Sequence, residues 1–268
     1  MKETSLAPLR DFFALRASCI RKYARNPRVL YFASGEDPRL LNEPHFLDDL
    51  YGSIVRQLDI TSAHSLLEIG CACGFVSRGV APHCKEYTGV DLVETSLKTA
   101  RALNIPNAVF CQANAMALPF ADAGFDRVLC YNVLHNLPQA EMITEILREA
   151  LRVLRPGGRL LVGFVPDADR HEALRQALAR DAKMLNEKYG PMRNCLPMML
   201  KCILILEKIH SKIKPGHIQF NPLPKEIFST ALQRADTEVY FDDIHNKHPQ
   251  HGLRFNVICL KKELPNHE

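Results

Sequence analysis

The sequence lacks several features that would assign it to a class at once. It contains no tryptophan, and no apolar stretch approaches the roughly 20 residues that a membrane-spanning helix needs. The longest candidate, Cys202–Leu206, is flanked by Lys201 and Glu207. No apolar segment follows Lys2, so we expect no cleaved signal peptide. The net charge of +4 is too small to indicate nucleic-acid binding by itself. We expect neither a transmembrane segment nor a nucleic-acid partner.

Cysteine is present, but not in a pattern that predicts disulfides or a metal site. The nine cysteines are scattered, and Cys111, Cys130 and Cys259 fall inside predicted strands. Buried, reduced thiols in a cytoplasmic protein explain this distribution best. Cys71 and Cys73 are close together, but no second Cys/His pair stands at zinc-site spacing, so we expect no metal.

Residues 1–30 are rich in lysine and arginine, and their apolar residues recur at roughly helical spacing. We interpret the segment as an amphipathic helix that packs on the core and leaves its basic face in solvent. A weak contact with a membrane surface or with an acidic substrate is the alternative. The apolar positions are Leu9, Phe12, Phe13, Ile20, Tyr23 and Ala24.

The middle of the chain alternates between predicted strands and helices. Such alternation indicates βαβ crossovers and a parallel sheet, and near-continuous apolar strands agree with burial on both faces. The predicted strands are Ser65–Ile69, Tyr87–Asp91, Ala108–Gln112, Phe125–Asn132 and Arg159–Val165, and the helices are Phe75–Ala81, Glu94–Leu103 and Gln139–Leu154. Arg155-Pro-Gly-Gly158 is expected to break the last helix before the fifth strand begins.

After Val165 the pattern changes. Two helices are predicted over Asp167–Gly190 and Asn194–Ile213, and a short one over Lys225–Gln233. Glu238–Asp242 and Arg254–Lys261 then read as two strands that return to the sheet as a β-hairpin. We therefore divide the chain into an N-terminal helical extension or lid (1–60), a core (61–165), a helical substrate-cap insertion (166–222) and a C-terminal helix and hairpin (223–268).

The loop Glu68–Gly74 ends the first strand and leads into a helix, which is the geometry of a cofactor site. Small residues let a ligand approach the backbone, and the helix N-terminus supplies unpaired N–H groups. Asp91 ends the next strand, 23 residues after Glu68, where a carboxylate can accept hydrogen bonds from ribose hydroxyls. Dinucleotides and S-adenosylmethionine (SAM) both fit this arrangement.

The glycine spacing separates these two ligands. A dinucleotide turn requires G-x-G-x-x-G, but counting from Gly70 the second glycine position is Ala72 and the third is Phe75. Glu68 would also repel a pyrophosphate, whereas it suits the cationic amino-acid end of SAM, directly or through water. The loop therefore favours SAM over NAD.

Five segments in order resemble the class I SAM-dependent methyltransferases, in particular the group of ubiquinone/menaquinone-biosynthesis methyltransferases. The resemblance covers residues 65–165 and implies an α/β, Rossmann-like fold. We expect a seven-stranded, mostly parallel sheet with an antiparallel C-terminal hairpin and helices on both faces. The segments are Leu66–Gly74, Thr88–Asp91, Ala113–Asp126, Tyr131–Leu137 and Leu147–Leu160.

The resemblance also implies where SAM binds, at the C-terminal ends of strands 1, 2 and 4. The methionine end would lie on Glu68, Gly70, Cys71 and Gly74, the ribose on Asp91, the adenine on Leu92, Asn114 and Ala115, and the sulfonium near Tyr131 and Asn132. Two residues depart from the family pattern. Ala72 replaces a usual glycine, and we expect binding to survive provided that its φ is negative. Asn114 replaces a usual aspartate, and its amide oxygen can still accept a hydrogen bond from adenine.

His135, just past the fourth strand, is a candidate general base or substrate contact, and a packing role is the alternative. His245, His248 and His251 are interpreted as a solvated polar loop, and contact with the cleft or adventitious metal binding is the alternative. We expect SAM-dependent methyl transfer by in-line displacement, with S-adenosylhomocysteine (SAH) as product and a small or medium-sized, partly apolar acceptor. A SAM-binding sensor or assembly subunit without transfer activity is the main alternative, and an NAD-type oxidoreductase is the third hypothesis. The sequence identifies neither the acceptor atom nor the oligomeric state.

Overall fold

A seven-stranded mixed sheet forms the centre of the chain in a computed structural model, which describes residues 6–20, 30, 45–189, 221–244, 248 and 250–263. The strands are β1 (Ser65–Ile69), β2 (Glu86–Asp91), β3 (Ala108–Gln112), β4 (Phe125–Tyr131), β5 (Leu154–Pro166), β6 (Thr237–Asp243) and β7 (Arg254–Lys261). They lie in the order β3-β2-β1-β4-β5-β7-β6. The first five are parallel, and β7 is antiparallel to both β5 and β6. The predicted fold class is confirmed.

The order of the strands reverses between β1 and β4. The chain starts at β1, adds β2 and β3 on one side, and then returns to place β4 on the other side. Open α/β sheets bind ligands at such a switch point, outside the carboxyl ends of the strands. The topology of the sheet therefore predicts a ligand site at the residues that follow β1 and β4.

The central strands β1 and β4 are buried along most of their length because helices cover both faces of the sheet. Successive side chains of a strand point to opposite faces. Leu67 accordingly packs in one buried cluster with Ile146, and Leu66 packs in another with Ile54. All four side chains are nearly or fully buried. This double burial explains why β1 and β4 read as continuous apolar runs.

The described helices agree closely with the predicted ones. The long helix Ala140–Val153 buries the apolar face that the sequence predicted, with Ile143, Ile146, Leu147, Ala150 and Leu151 all at least 97% inaccessible to solvent. The helices are α1 (Ala7–Ile20), α2 (Phe46–Leu58), α3 (Phe75–Val80), α4 (Glu94–Arg101), α5 (Ala140–Val153), α6 (His171–Tyr189) and α7 (Lys225–Leu232).

One strand boundary was predicted wrongly. The helix α5 ends before Arg155-Pro-Gly-Gly158 as expected, but β5 already begins at Leu154 and includes this segment. Leu154 pairs with Phe125 of β4, and the register shifts before Arg159 pairs with Arg127. The proline and glycines therefore distort the strand start rather than separate the helix from the strand.

The flanking regions are helical where they are described. α1 and α2 precede the sheet, and α6 begins at His171, after a 3-10 turn at Ala168–Arg170. The helix predicted over Asn194–Ile213 lies outside the described residues, as does His245. The division into extension, core and insertion stays a prediction. Within the described ranges, no helix is long and apolar enough to cross a membrane.

Candidate cofactor site

A cavity lies at the carboxyl ends of β1, β2 and β4, at the switch point of the sheet. α1 contributes Leu9 and Phe13 to its wall, Leu6 lies there just before α1, and α2 contributes Leu50. The sheet topology thus brings together residues that are far apart in the sequence. All of the predicted cofactor residues except Gly74 line the cavity, namely Glu68, Gly70, Cys71, Asp91, Leu92, Asn114, Ala115, Tyr131 and Asn132.

The loop after β1 turns sharply through three residues with positive φ: Gly70 at 78°, Ala72 at 43° and Gly74 at 82°. A Cβ atom on Gly70 would lie 2.4 Å from Cγ2 of Val133, so only glycine lets the loop approach the segment after β4. Gly74 closes the turn by donating from its N–H to the carbonyl of Cys71 at 2.9 Å. Gly74 therefore shapes the loop without lining the cavity.

The negative φ on which we made cofactor binding with Ala72 conditional is not observed. Its φ of 43° lies in the left-handed region, where an L-residue other than glycine costs about 1–2 kcal/mol. The N–H of Ala72 donates to Oδ2 of Asp91 at 2.9 Å, which ties the strained residue to the carboxylate at the end of β2.

Glu68 is a buried carboxylate in the cavity wall, with a side chain only 2% exposed. Ser77 and Tyr87 donate hydrogen bonds to its Oε2 from their hydroxyls, at 2.6 Å and 2.5 Å. Burial raises the pKa of Glu68 to about 7; the two hydrogen bonds oppose the rise, and the Asp91 charge adds to it. A ligand cation would favour the ionised form of this group.

Asp91 stands where β2 ends, and both of its carboxylate oxygens accept backbone hydrogen bonds. Oδ2 accepts from Ala72, and Oδ1 accepts from the N–H of Val93 at 2.8 Å. Burial raises the pKa of Asp91, and these backbone hydrogen bonds counteract it. Each carboxylate oxygen has a second lone pair, so Asp91 can still accept hydrogen bonds from ligand hydroxyls.

The wall beyond Asp91 is apolar and suits a flat ring. Leu92, Ala115 and Met116 line it from the β2 and β3 side, and Leu137 and Ile146 line it from the opposite side. The amide oxygen of Asn114, predicted to meet the adenine edge, accepts a hydrogen bond from the N–H of Met116 at 3.0 Å. This bond turns the loop and holds Asn114 in the cavity wall.

At the end of β4, Tyr131 meets a distorted residue of β5. Phe164 has a φ of 64°, which is a genuine outlier for a bulky residue, and the β5–β7 register shifts there. Side chains of β7 hold its backbone: Asn256 Oδ1 accepts from the Phe164 N–H at 2.8 Å, and Arg254 donates to its carbonyl at 2.9 Å. The Phe164 ring stacks on Tyr131, with centroids 5.8 Å apart, and lines the cavity.

His135, the predicted general base, is not brought to the site. It is 5% exposed, and the wall that the described residues form around the cavity does not include it. Burial and then the nearby Arg254 cation lower the pKa of His135 well below its ordinary value. The structure therefore favours the packing role that was the alternative.

The interpretation of His248 as part of a solvated loop is wrong. His248 is 3% exposed and lines the cavity, and its ring lies 4.8 Å from that of Phe164 and 5.5 Å from that of Phe46. His251 is half-exposed, and its Nδ1 lies 3.8 Å from Oδ1 of Asp243.

Phe164 and Val133 were not predicted as site residues from the sequence, because no local pattern marks a bulge or a contact between two loops.

The fold and the site define a class: a Rossmann-like α/β protein that binds a nucleoside-containing cofactor at its switch point. Residues 67–162 match the family model described as a methyltransferase domain. The chain therefore contains a class I SAM-dependent methyltransferase domain, and SAM is the cofactor of that class.

Three similar proteins illustrate the likeness. A demethylmenaquinone methyltransferase of Tropheryma whipplei is 32% identical over 151 residues, which cover 53% of this chain and 62% of that protein. The 27-O-demethylrifamycin SV methyltransferase of Amycolatopsis mediterranei is 37% identical over 112 residues, 40% of each chain. A SAM-dependent methyltransferase structure from Methanosarcina mazei superposes with a TM-score of 0.52 at 21% identity, covering 81% of this chain and 99% of that one.

The similarity to the curated relatives covers only part of each protein. The chain spans 37% to 62% of the length of the curated relatives that it matches. The structural similarity, at 21% identity, concerns the fold alone.

Proposed function

We propose that this chain transfers the methyl group of SAM to a small or medium-sized, partly apolar acceptor. One observation carries the proposal: a single cavity joins the buried carboxylate of Glu68 and the half-buried carboxylate of Asp91 to an aromatic wall formed by Tyr131, Phe164 and His248. The carboxylates suit the two polar ends of the cofactor, and the aromatic wall suits an apolar acceptor.

The residues of the cavity fit SAM in charge and in shape. Asp91 would accept hydrogen bonds from the ribose hydroxyls, and Glu68 would accept one from the ammonium of the methionine end. Leu92 and Ala115 would pack on the adenine, and Tyr131 and Asn132 would lie near the sulfonium. When bound, SAM supplies a methyl group that the sulfonium has already activated. Ala72, in place of a second glycine, does not fit a pyrophosphate.

The contribution of the protein is positioning and the exclusion of water. Leu6 and the α1 residues Leu9 and Phe13 cover the cavity, together with Leu50 of α2. In-line displacement requires that acceptor and donor be held in register, and an apolar enclosure strengthens the electrostatic contacts within it. His135 is not assigned as a general base, because it does not reach the cavity wall.

Two relatives act on acceptors of the proposed kind, since their names specify demethylmenaquinone and 27-O-demethylrifamycin SV. The apolar wall of this cavity is consistent with such partly apolar ring compounds. This support concerns the class of acceptor and does not distinguish O-, N- and C-methylation.

The proposal is tested first by SAH binding in isothermal titration calorimetry. We expect Asp91→Ala to weaken SAH binding by at least about 10-fold, because hydrogen bonds to a charged group contribute about 1.5–3 kcal/mol. Asp169→Ala is the matched control, since Asp169 is exposed and its carboxylate lies outside the cavity wall. Intact SAH affinity in Asp91→Ala would contradict the proposed ribose site.

Transfer is tested with methyl-labelled SAM and a panel of naphthoquinols, phenols, fatty acids and amines. We expect label in at least one apolar acceptor and none without protein. SAH binding without transfer to any acceptor would favour a sensor or an assembly subunit. Tighter binding of NAD than of SAH would contradict the proposal altogether.

A further inference from the structure

The hydrogen bonds to Glu68 are distributed unequally between its two oxygens. Both bonds that reach its carboxylate from the described residues end on Oε2, one from Ser77 on α3 and one from Tyr87 on β2. Ser77 is 0% exposed and Tyr87 is 0% exposed, so neither hydroxyl can exchange its partner for bulk water. The other oxygen, Oε1, belongs to a side chain that lines the cavity.

We infer that Tyr87 and Ser77 are positioning residues for the cofactor, which hold Glu68 by Oε2 so that Oε1 receives the ammonium of SAM in a proton-coupled step. The inference rests on the proposed function, because it takes the ammonium end of SAM to lie at Glu68. It assigns a role to two buried hydroxyls that touch no cofactor themselves.

The proton coupling follows from the environment of Glu68. A carboxylate whose pKa is raised to about 7 by burial is largely protonated at pH 6 in the free protein. Binding an ammonium requires its ionised form, so the proton must leave Glu68 for the solvent when the cofactor enters. SAH affinity should therefore fall up to about 10-fold for each pH unit below 7 and level off above it.

The other ionisable groups around Glu68 are a carboxylate, thiols and phenols, with Arg10 and His248 also in the cavity wall. Asp91 on β2 is the neighbouring carboxylate, and it raises the pKa of Glu68. Cys71, Cys130, Tyr51 and Tyr87 also face Glu68, and burial raises the pKa of each of them further above neutrality. These thiols and phenols stay protonated between pH 5.5 and 8.5. The imidazole of His248 lines the same cavity, so the comparison with Glu68→Gln is what assigns the proton to Glu68.

The experiment measures SAH binding calorimetrically from pH 5.5 to 8.5, in buffers of different ionisation enthalpy. We expect wild-type protein to release about one proton per SAH bound at pH 6, and Glu68→Gln to release none. Tyr87→Phe removes a donor that favours the ionised form, so the midpoint of the affinity profile should move up by about one pH unit. Ser77→Ala should move it in the same direction.

Two controls separate positioning from general damage. Tyr51→Phe removes another tyrosine hydroxyl beside the cavity, one that donates to the carbonyl of Phe75 at 3.0 Å, and should leave the midpoint unchanged. 5′-Methylthioadenosine lacks the amino-acid end, so neither pH nor Tyr87→Phe should change its affinity. Deprotonation of the SAH ammonium affects the affinity for every variant equally, so it does not change the differences between their pH profiles.

A purely structural role for Tyr87 would lower SAH affinity by the same factor at every pH, and that result would overturn the inference. So would pH-independent SAH binding by the wild-type protein. If the wild-type protein bound 5′-methylthioadenosine but not SAH, the ammonium site at Glu68 would be wrong. If it bound neither ligand at any pH, the proposed function itself would fail.

Discussion

The backbone N–H of Ala72 donates a 2.9 Å hydrogen bond to Oδ2 of Asp91, and so joins the loop after β1 to the carboxylate that ends β2. Ala72 makes this bond with a φ of 43°, a conformation that favours glycine. Two parts of the candidate cofactor site, the loop after β1 and Asp91, are thus coupled, and the strained conformation of Ala72 is held by a hydrogen bond to Asp91.

We predict that Ala72→Gly stabilises the protein by about 0.5–1 kcal/mol, because glycine adopts positive φ without strain while its greater freedom in the unfolded chain offsets part of the gain. Urea denaturation measures this free energy. Ala102→Gly is the matched control: Ala102 is exposed and has a φ of −69°, so the change should be neutral or destabilising. Equal effects of the two changes would contradict strain at Ala72.

We predict that Gly70→Ala destabilises the protein by about 2–4 kcal/mol. The new Cβ would lie 2.4 Å from Cγ2 of Val133, and the φ of 78° disfavours any side chain. Adding Val133→Ala should restore the part of the stability that the clash removes, but not the part due to φ. A double variant no more stable than Gly70→Ala would show that Val133 is not the obstacle.

The stability of the cofactor-free protein should depend on pH through Glu68. In the folded protein the carboxyl group of Glu68 keeps its proton up to about pH 7. In the unfolded chain the same group loses its proton near pH 4.5. The Glu68 contribution is therefore fully present below pH 4.5, falls by about 3 kcal/mol as the pH rises to about 7, and is constant above it.

The measurement is the free energy of unfolding from pH 4.5 to 8, compared between wild type and Glu68→Gln. As the pH rises, the free energy of unfolding of the wild type should fall relative to that of Glu68→Gln. A constant difference across this range would mean that Glu68 ionises normally in the folded protein, contrary to its burial.

Asn256 should be required for the shape of the acceptor side of the cavity. Its amide accepts from the N–H of Phe164 at 2.8 Å and donates to Gln57 of α2 at 2.9 Å. Asn256→Ala would leave a buried N–H without its acceptor, so we expect a loss of about 1–3 kcal/mol. SAH affinity should be retained, because neither partner contacts Glu68 or Asp91.

Chemical denaturation and SAH titration of the same samples check both statements. Gln233→Ala serves as the control, since Gln233 is exposed and the change should stay within about 0.5 kcal/mol. If Asn256→Ala were as mild as Gln233→Ala, the bulge at Phe164 would not depend on this hydrogen bond.

The sheet could be predicted well from the sequence because the patterns that specify its strands are local. Each strand of the parallel region is a short apolar run with a breaker after it, and the alternation with helices fixes the crossovers. The start of β5 was wrong because Leu154 pairs with Phe125 across a register shift, and such pairing leaves no trace in the local pattern.

The candidate site, like the sheet, could be predicted from the sequence only where the information is local. The loop after β1 and Asp91 were predicted from their spacing, and the remaining cofactor residues were predicted from the resemblance to class I methyltransferases. The φ of Ala72 was missed because it is imposed by a bond to Asp91. His248 was missed because its burial depends on Phe46 and Phe164, which are far away in the sequence. Long-range packing decided both, and neither can be predicted from spacing.

A crystal structure of the complex with SAH tests the central claim most directly. We predict that its ammonium lies within hydrogen-bond distance of Oε1 of Glu68, that its ribose hydroxyls contact Asp91, and that its sulfur faces the wall formed by Tyr131, Phe164 and His248. SAH bound in the reverse orientation, or outside this cavity, would contradict the account.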